Sequence, residues 1–185
     1  MTRTTNPPWP RVIGLSAKKR HGKDTLGQLL KPYGYRRIAF ADALYAEVAT
    51  RVGVPVDVLK NAHFKERPMA RLDGRSPRAV LQEYGMAKRQ EDPDYWIRQV
   101  EQALRAASPQ QRWVITDVRL PNEAAWVEER GVLVRVIRPA ITAADNHISE
   151  TALDSWVFHY RVINNEGDPS GMLESLMRQL AGGNK

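Results

Sequence analysis

The amino-acid sequence predicts an α/β domain with a five-stranded parallel sheet flanked by helices. Short apolar runs alternate with helix-like stretches, which is typical of a parallel sheet because its crossovers need connections of helix length. Two predicted helix starts, Ser76-Pro77 and Asp92-Pro93, have a capping residue followed by proline. A basic turn, residues 16–25, joins the first predicted strand to the first predicted helix.

The predicted strands are short and mostly apolar, and they cover about residues 11–15, 35–40, 112–117, 132–137 and 160–164. Helical patterns lie between them, at about residues 25–30, 42–52, 56–60, 76–90, 93–107, 121–130 and 170–180. We find no internal repeat, so these elements are expected to form one domain, residues 1–185.

Composition excludes several kinds of site. The chain has 185 residues and no cysteine, which excludes disulfides and thiolate metal sites, and its four histidines lack the spacing of a zinc site. No run approaches the about 18 to 20 apolar residues of a membrane span, and residues 1–9 are too polar for a signal peptide. We therefore expect a soluble cytoplasmic protein without a membrane partner.

The formal net charge of +7 is compatible with a nucleic acid, with an anionic small molecule, or with solubility alone. Basic residues concentrate at 18–23 and again at 65–89, without a continuous basic helix or an aromatic-interleaved strand. This distribution favours a phosphate-lined cleft and argues against nucleic acid as a partner.

Residues 16–25 read Ser-Ala-Lys-Lys-Arg-His-Gly-Lys-Asp-Thr, which indicates a phosphate-binding loop. Such a loop needs backbone N–H groups that converge on phosphate, a lysine, and a hydroxyl for Mg²⁺, which Gly22, Lys23 and Thr25 supply. Ala17 replaces the first glycine of the usual pattern, at a cost of about 1 kcal/mol if its φ is positive. Asp24 replaces the usual Ser or Thr. The alternative is a solvated basic loop.

The predicted ATP-binding residues are Ala17, Lys18, Lys19, His21, Gly22, Lys23, Asp24 and Thr25.

A second polar element follows the predicted strand at 112–117. An aspartate at the carboxyl end of a strand beside the phosphate loop can hold Mg²⁺ or its waters, and we assign that role to Asp117. The alternative is that Asp117 only caps the turn before Pro121. Arg119 can reach a phosphate from the same edge or pair with Glu123 on the surface.

The predicted helix at 76–90 has a donor-rich face formed by Arg78, Gln82, Gly85 and Arg89, opposite Val80, Leu81, Tyr84 and Ala87. Gly85 on a polar face indicates that something approaches closely there, rather than core packing. A planar guanidinium suits a monophosphate because it donates two parallel hydrogen bonds. Ordinary solvated arginines are the alternative.

Several blocks now carry a family resemblance, and they occur in this order: Gly14-Leu-Ser-Ala-Lys-Lys-Arg-His-Gly-Lys-Asp-Thr25, Phe40-Ala-Asp-Ala-Leu44, Arg78-Ala-Val-Leu-Gln-Glu-Tyr-Gly85, Asp92-Pro-Asp-Tyr-Trp96, Thr116-Asp-Val-Arg-Leu-Pro-Asn-Glu123, Arg135-Val-Ile-Arg-Pro139 and His147-Ile-Ser-Glu150. Over about residues 11–180 the chain resembles the bacteriophage deoxynucleoside monophosphate kinases. It is more distantly similar to animal phosphomevalonate kinase.

The resemblance implies a P-loop nucleoside monophosphate kinase-like fold with a helical monophosphate-binding region at about 53–107 and a mobile lid at about 138–150, ending near His147 and Glu150. It implies ATP-dependent phosphorylation of deoxynucleoside 5′-monophosphates, with Mg²⁺ brought by ATP. From the motifs and the resemblance together, the predicted catalytic residues are Lys23, Asp117, Arg119 and Arg138, and the predicted metal-binding residues are Thr25, Asp24 and Asp117. The substrate-binding residues are Asp42, Arg67, Arg78, Gln82, Arg89 and Trp96.

Three other readings of the sequence stay open. The chain could phosphorylate another small acceptor, such as dephospho-coenzyme A or phosphomevalonate. It could be a nucleic-acid-binding ATPase, or a nucleotide-binding regulator without turnover, which the alanine at position 17 permits. The accepted bases and the oligomeric state, a homodimer being one option, are not fixed by the sequence; a phage-encoded protein would work in the host cytoplasm.

Overall fold

The computed structural model describes residues 9–141, 151–165 and 168–182. Five strands form one sheet in the order β2-β3-β1-β4-β5, and every neighbouring pair is parallel. The strands are β1 (Val12–Ser16), β2 (Tyr35–Ile38), β3 (Arg112–Ile115), β4 (Gly131–Ile137) and β5 (Tyr160–Ile163). The predicted fold class, a five-stranded parallel sheet flanked by helices, is confirmed.

The helices follow the strands in the expected alternation. They are α1 (Lys23–Leu29), α2 (Phe40–Val52), α3 (Val56–Lys60), α4 (Pro77–Glu91), α5 (Tyr95–Arg105), α6 (Pro121–Glu128) and α7 (Pro169–Gly182). Two short 3₁₀ turns, Lys31–Tyr33 and Ala70–Leu72, were not predicted. No helix in the described ranges has the length and apolar character that a membrane crossing requires.

The central strand β1 is buried along its whole length, which its apolar sequence Val-Ile-Gly-Leu predicts. Ile13 and Leu15 pack with residues of α1 and α7, including Leu26 and Leu176. Gly14 faces the other side, where an added Cβ would lie 2.6 Å from Val127 Cγ1 of α6. Alternation along β1 therefore places helices on both faces of the sheet.

The chain divides into two compact units, residues 1–38 with 107–185, and residues 39–106. The first unit contains the sheet with α1, α6 and α7. The second contains α2 to α5 around its own core, in which Val48, Leu59 and Leu81 are buried. Except for Ala107, the predicted monophosphate-binding region at 53–107 falls within the second unit, which begins earlier in the sequence, at Ala39.

The two predicted Pro-marked helix starts had different outcomes. Ser76 caps α4, because its Oγ accepts the Ala79 N–H at 3.3 Å and Pro77 is the first helical residue. The prediction for Asp92-Pro93 was wrong, since α5 begins at Tyr95. The Asp92 side chain instead accepts the Asp94 N–H at 3.1 Å, which makes a turn before the helix.

Candidate functional site

The phosphate-loop segment joins β1 to α1, as predicted. Arg20 and Gly22 adopt left-handed conformations within it, with φ of 67° and 98°. Arg20 and Asp73 are the non-glycine residues with positive φ in the described chain, so Ala17 does not carry that cost. Ala17 is buried at the end of β1, and its substitution for glycine is compatible with the backbone of this turn.

Asn164, directly after β5, holds the second half of the loop. Its Nδ2 donates to the His21 carbonyl at 2.9 Å, and its backbone N–H donates to the Ile137 carbonyl at 2.7 Å. A Cβ at Gly22 would lie 2.3 Å from Asn164 Nδ2, so the close approach of Asn164 adds to the positive φ in requiring glycine. Sequence reasoning missed Asn164 because no local motif links a lone amide to a loop so far away in the chain.

His21 connects the loop to the chain that follows β4. His21 as a whole is only 7% exposed, and its Nδ1 accepts the Arg138 backbone N–H at 3.1 Å. Burial lowers the pKa of His21 below its usual 6.5, as do the charges of Arg135 and Lys18, while hydrogen bonds with the backbone act in the opposite direction. The neutral imidazole is therefore the form that makes this contact, and Arg138 is fixed beside the loop by its main chain.

Lys23 and Thr25 lie in the first turn of α1, which begins at Lys23, two residues before the predicted start at residue 25. Lys23 Nζ pairs with Asp24 Oδ2 at 2.7 Å, and the Lys23 side chain is 17% exposed against 70% for Asp24. An ion pair open to solvent on one side is worth about 1 kcal/mol or less. A polyphosphate can therefore replace Asp24 as the partner of Lys23.

Asp154 lies beside the first half of the loop and touches two cations. Lys18 Nζ pairs with its Oδ2 at 2.9 Å, and Arg135 Nη2 pairs with its Oδ1 at 2.8 Å. Arg135 also donates from Nη1 to Ser16 Oγ at 3.0 Å. Sequence reasoning missed Asp154 for the same reason as Asn164, and it gave no role to Arg135.

The end of β3 lies next to the loop because β3 pairs with β1. The Val118 N–H donates to the Leu15 carbonyl at 3.2 Å, which holds the segment containing Asp117 and Arg119 against the end of β1. Glu123 is buried, and its Oε2 accepts the backbone N–H groups of Arg119 and Leu120 at 2.9 and 3.1 Å. The capping of α6 is thus done by Glu123, which binds the main chain of Arg119; the side-chain roles predicted for Arg119 stay predictions.

In the second unit, Asp42 has two contacts that shape the fold. Its Oδ2 accepts the Ala39 N–H at 2.9 Å at the start of α2, and its Oδ1 pairs with Lys60 Nζ at 3.1 Å. The predicted substrate contact of Asp42 stays a prediction, and it would require Asp42 to share or exchange these partners.

The α4 arginines are half-buried, whereas Gln82 and Arg67 are exposed. Arg78 pairs with Glu66 through its side chain, and its backbone N–H donates to the Lys65 carbonyl at 3.0 Å. Arg89 lies along α4, with Nη1 3.6 Å from the position of a Cβ at Gly85. Their substrate contacts remain predictions.

Two details of the predicted α4 groove were wrong. Gly85 is buried, and a Cβ there would lie 3.3 Å from Leu44 Cδ2 of α2, so helix packing explains this glycine. Ala87, predicted on the apolar face, is exposed. Trp96 is 2% exposed and its Nε1 donates to the Gly85 carbonyl at 3.4 Å. The structure gives Trp96 a packing role, and its predicted substrate contact is untested.

The described residues contain no group of three or more histidine, aspartate or glutamate side chains that could hold a metal by themselves. The predicted metal residues Asp24, Thr25 and Asp117 are oxygen donors at the loop and at the end of the adjacent strand. This sparse donor set fits Mg²⁺, which commonly keeps several waters and takes other ligands from phosphate. Of the predicted lid, residues 138–141 are described; residues 142–150 lie outside the described ranges.

No protein-family model matches the chain. A protein of Acanthamoeba polyphaga mimivirus, named "Putative deoxynucleotide monophosphate kinase", is 28% identical over 163 residues, which are 78% of this chain and 82% of that protein.

Solved structures resemble the chain along nearly its full length. TT1252 from Thermus thermophilus aligns with a TM-score of 0.53 at 17% identity, covering 96% of this chain and 99% of that one. Shikimate kinase from Acinetobacter baumannii aligns with a TM-score of 0.54 at 11% identity, covering 96% of each chain. Dephospho-CoA kinase from Campylobacter jejuni aligns with a TM-score of 0.52 at 15% identity, covering 95% of this chain and 99% of that one. The chain therefore has the fold of the P-loop kinases, and the predicted phosphate loop lies at the turn from β1 to α1.

Proposed function

We propose that the protein transfers the γ-phosphoryl group of ATP to a deoxynucleoside 5′-monophosphate and releases ADP and the deoxynucleoside diphosphate. The observation that carries this proposal is the loop from Ser16 to Thr25. It joins β1 to α1 of a P-loop kinase fold and presents Gly22, Lys23 and Thr25 in the order that phosphate binding needs. The mimivirus relative supports the choice of acceptor, since its name specifies a deoxynucleotide monophosphate and the alignment spans 78% of this chain.

ATP would bind with its phosphates against the backbone of the loop. Lys23 would exchange Asp24 for the β- and γ-phosphates, and Arg119 and Arg138 would spread over the charge of the transferring group. Mg²⁺ would be held by Thr25, with Asp24 and Asp117 beside its waters, and it would neutralise phosphate charge.

The reaction needs no nucleophile from the protein. An oxygen of the acceptor monophosphate forms the new bond to the γ-phosphorus, and the bond from that phosphorus to the β–γ bridging oxygen breaks, so that ADP leaves. The acceptor phosphate is already an oxyanion at neutral pH, and alignment matters more than a strong base. In the second unit, Arg78 and Arg89 on α4 are the proposed phosphate contacts, with Arg67, Gln82 and Asp42 as further substrate contacts.

An acceptor screen tests the proposal. ADP release is measured with ATP, Mg²⁺ and each of the common deoxy- and ribonucleoside monophosphates, with dephospho-coenzyme A, phosphomevalonate and shikimate as other acceptors and DNA as a separate addition. We expect one or more deoxynucleoside monophosphates to give the highest kcat/KM. Turnover only with another acceptor, turnover stimulated only by DNA, or ATP binding without turnover would each contradict the proposal and support a different function.

A further inference from the structure

Asp154 links the phosphate loop to β4 through side chains that come from three separate parts of the sequence. Ser16 and Arg135 are register partners on the parallel strands β1 and β4, and Arg135 bonds both Ser16 Oγ and Asp154 Oδ1. The other oxygen of Asp154 accepts Lys18 Nζ at 2.9 Å. Leu153, the neighbour of Asp154, is buried in the core, which anchors the backbone next to the carboxylate.

The charge of this region explains why a carboxylate is needed. The loop carries Lys18, Lys19, Arg20 and Lys23, and Arg135 lies beside it. Before a polyphosphate binds, these like charges repel one another. Burial acts to raise the pKa of Asp154, but its hydrogen bonds and ion pairs with Lys18 and Arg135 outweigh that effect and lower the pKa below the usual value. Asp154 is therefore ionised throughout the neutral range.

We propose that Asp154 is a positioning residue for the nucleotide site: its carboxylate holds the Ser16–Lys18 half of the loop in its binding shape before ATP arrives. This inference rests on the proposed function in its assumption that ATP binds the loop. Arg135 is largely shielded, with a side chain 13% exposed, whereas the Asp154 side chain is 42% exposed. The pair is thus open to solvent at the carboxylate, and Arg135 is the partner whose position the fold fixes. A site shaped in advance binds more tightly because less ordering remains to be done on binding.

The negative charge of Asp154, taken alone, would weaken ATP binding, which is opposite to the effect of positioning. A carboxylate close to a polyphosphate site repels the ligand, so simple electrostatics predicts that its removal tightens ATP binding. The positioning role predicts the reverse. For Asp154→Asn we expect ATP with Mg²⁺ to bind about five- to tenfold more weakly by calorimetric titration. Asp154→Glu is expected to recover part of the loss because it restores the ionised group.

A double variant separates shape from charge. Lys18→Met with Asp154→Asn removes one positive and one negative group, so the net charge equals that of the unchanged protein while the pair is gone. Because Lys18 is also a predicted ATP-binding residue, Lys18→Met alone is the reference. We expect Asp154→Asn to weaken ATP binding less in the Lys18→Met background than in the unchanged protein, since the Lys18–Asp154 contact is already broken there. Glu129→Gln is the matched control: it removes a carboxylate paired with Arg130 at 2.8 Å, just before the amino end of β4, and its ATP affinity is expected to stay unchanged.

Hydrogen exchange in the nucleotide-free protein tests the same inference without ATP. The amides of residues 17–22 are expected to exchange about threefold faster or more in Asp154→Asn, and not in Glu129→Gln. Unchanged exchange would overturn the inference, as would wild-type ATP affinity in either Asp154→Asn or the double variant. If the unchanged protein binds no nucleoside triphosphate, the proposed function fails, and the exchange result alone decides the positioning role.

Discussion

The two compact units use their charged residues differently. In the first unit, the phosphate loop is held by side chains and backbone groups from distant segments, through Asp154, Asn164 and Arg138. In the second unit, the predicted acceptor contacts Asp42 and Arg78 pair with Lys60 and Glu66, which are near them in sequence. The first unit thus has a loop whose shape is set by distant parts of the fold, although Lys23 within it pairs with Asp24. The acceptor contacts proposed for the second unit would have to exchange their partners Lys60 and Glu66.

This difference leads us to expect larger losses from substitutions in the loop than from substitutions on α4. A rigid site loses both a contact and its geometry when a residue is removed. A site whose groups already have partners loses only the difference between the old contact and the new one. Four of the substitutions below, two in the loop and two on α4, test that ranking, and His21→Gln tests the pH dependence.

The largest effect is expected for Lys23→Ala. Loss of its charge at the transferring phosphoryl group is expected to lower kcat at least about 100-fold, equivalent to roughly 3 kcal/mol. Its pair with the exposed Asp24 contributes little to folding, so the unfolding midpoint should change little. Steady-state kinetics and thermal unfolding measure the two quantities, with Lys31→Ala as the control cation outside the loop. Near-normal kcat in Lys23→Ala would remove Lys23 from the mechanism.

Gly22→Ala comes next. A side chain at φ 98° is strained, and its Cβ would displace the Asn164 amide from the His21 carbonyl. We expect the free energy of unfolding to fall by about 2 kcal/mol and ATP affinity to fall with it. Gly34→Ala is the matched control, because its φ is 84° but nothing lies within 4 Å of the added Cβ. Gly34→Ala should lose only the stability that the strained backbone conformation costs, and it should keep its ATP affinity. Equal losses of stability in both variants would show that the contact with Asn164 contributes nothing to stability.

On α4 we expect a smaller effect, confined to the acceptor. Arg78→Lys and Arg89→Lys keep the charge but lose the paired, planar hydrogen bonds to a phosphate. The KM for the monophosphate should rise about tenfold, equivalent to about 1.4 kcal/mol, with little change in the KM for ATP. Arg75→Lys is the control, since Arg75 pairs with Glu83 and has no proposed substrate role. If both α4 variants keep a normal monophosphate KM, the acceptor phosphate binds elsewhere.

The smallest effect concerns pH and His21. Because its pKa is lowered in the folded state, mainly by burial and also by Arg135 and Lys18, the stability that neutral His21 contributes is fully present above pH 6.5. That contribution is lost as pH falls through the lowered folded-state pKa. Between pH 8 and 5, unfolding in urea should show a steeper loss of stability for the unchanged protein than for His21→Gln. His63→Gln, at an exposed histidine, should leave the pH dependence as it is.

The difference between local signals and contacts made by distant segments also decides what the sequence could predict. Periodicity and the Gly22-Lys23 turn predicted the strands, most helices and the turn between β1 and α1 because those signals are local. Asp154 and Asn164 could not be found this way, since their importance comes from the register of β1 with β4 and from the end of β5. Gly85 was misread because its face of α4 is set by packing against Leu44 of α2, which helix periodicity alone does not reveal.

In the proposed function, the first unit binds ATP and the second binds the monophosphate. Hydrogen exchange with one substrate present at a time tests this division of binding. ATP with Mg²⁺ alone is expected to slow exchange in residues 17–25 of the first unit. The best deoxynucleoside monophosphate from the acceptor screen, added alone, is expected to slow exchange within residues 40–91 of the second. Protection of the loop by both ligands, with no protection in residues 40–91 by the monophosphate, would contradict the account.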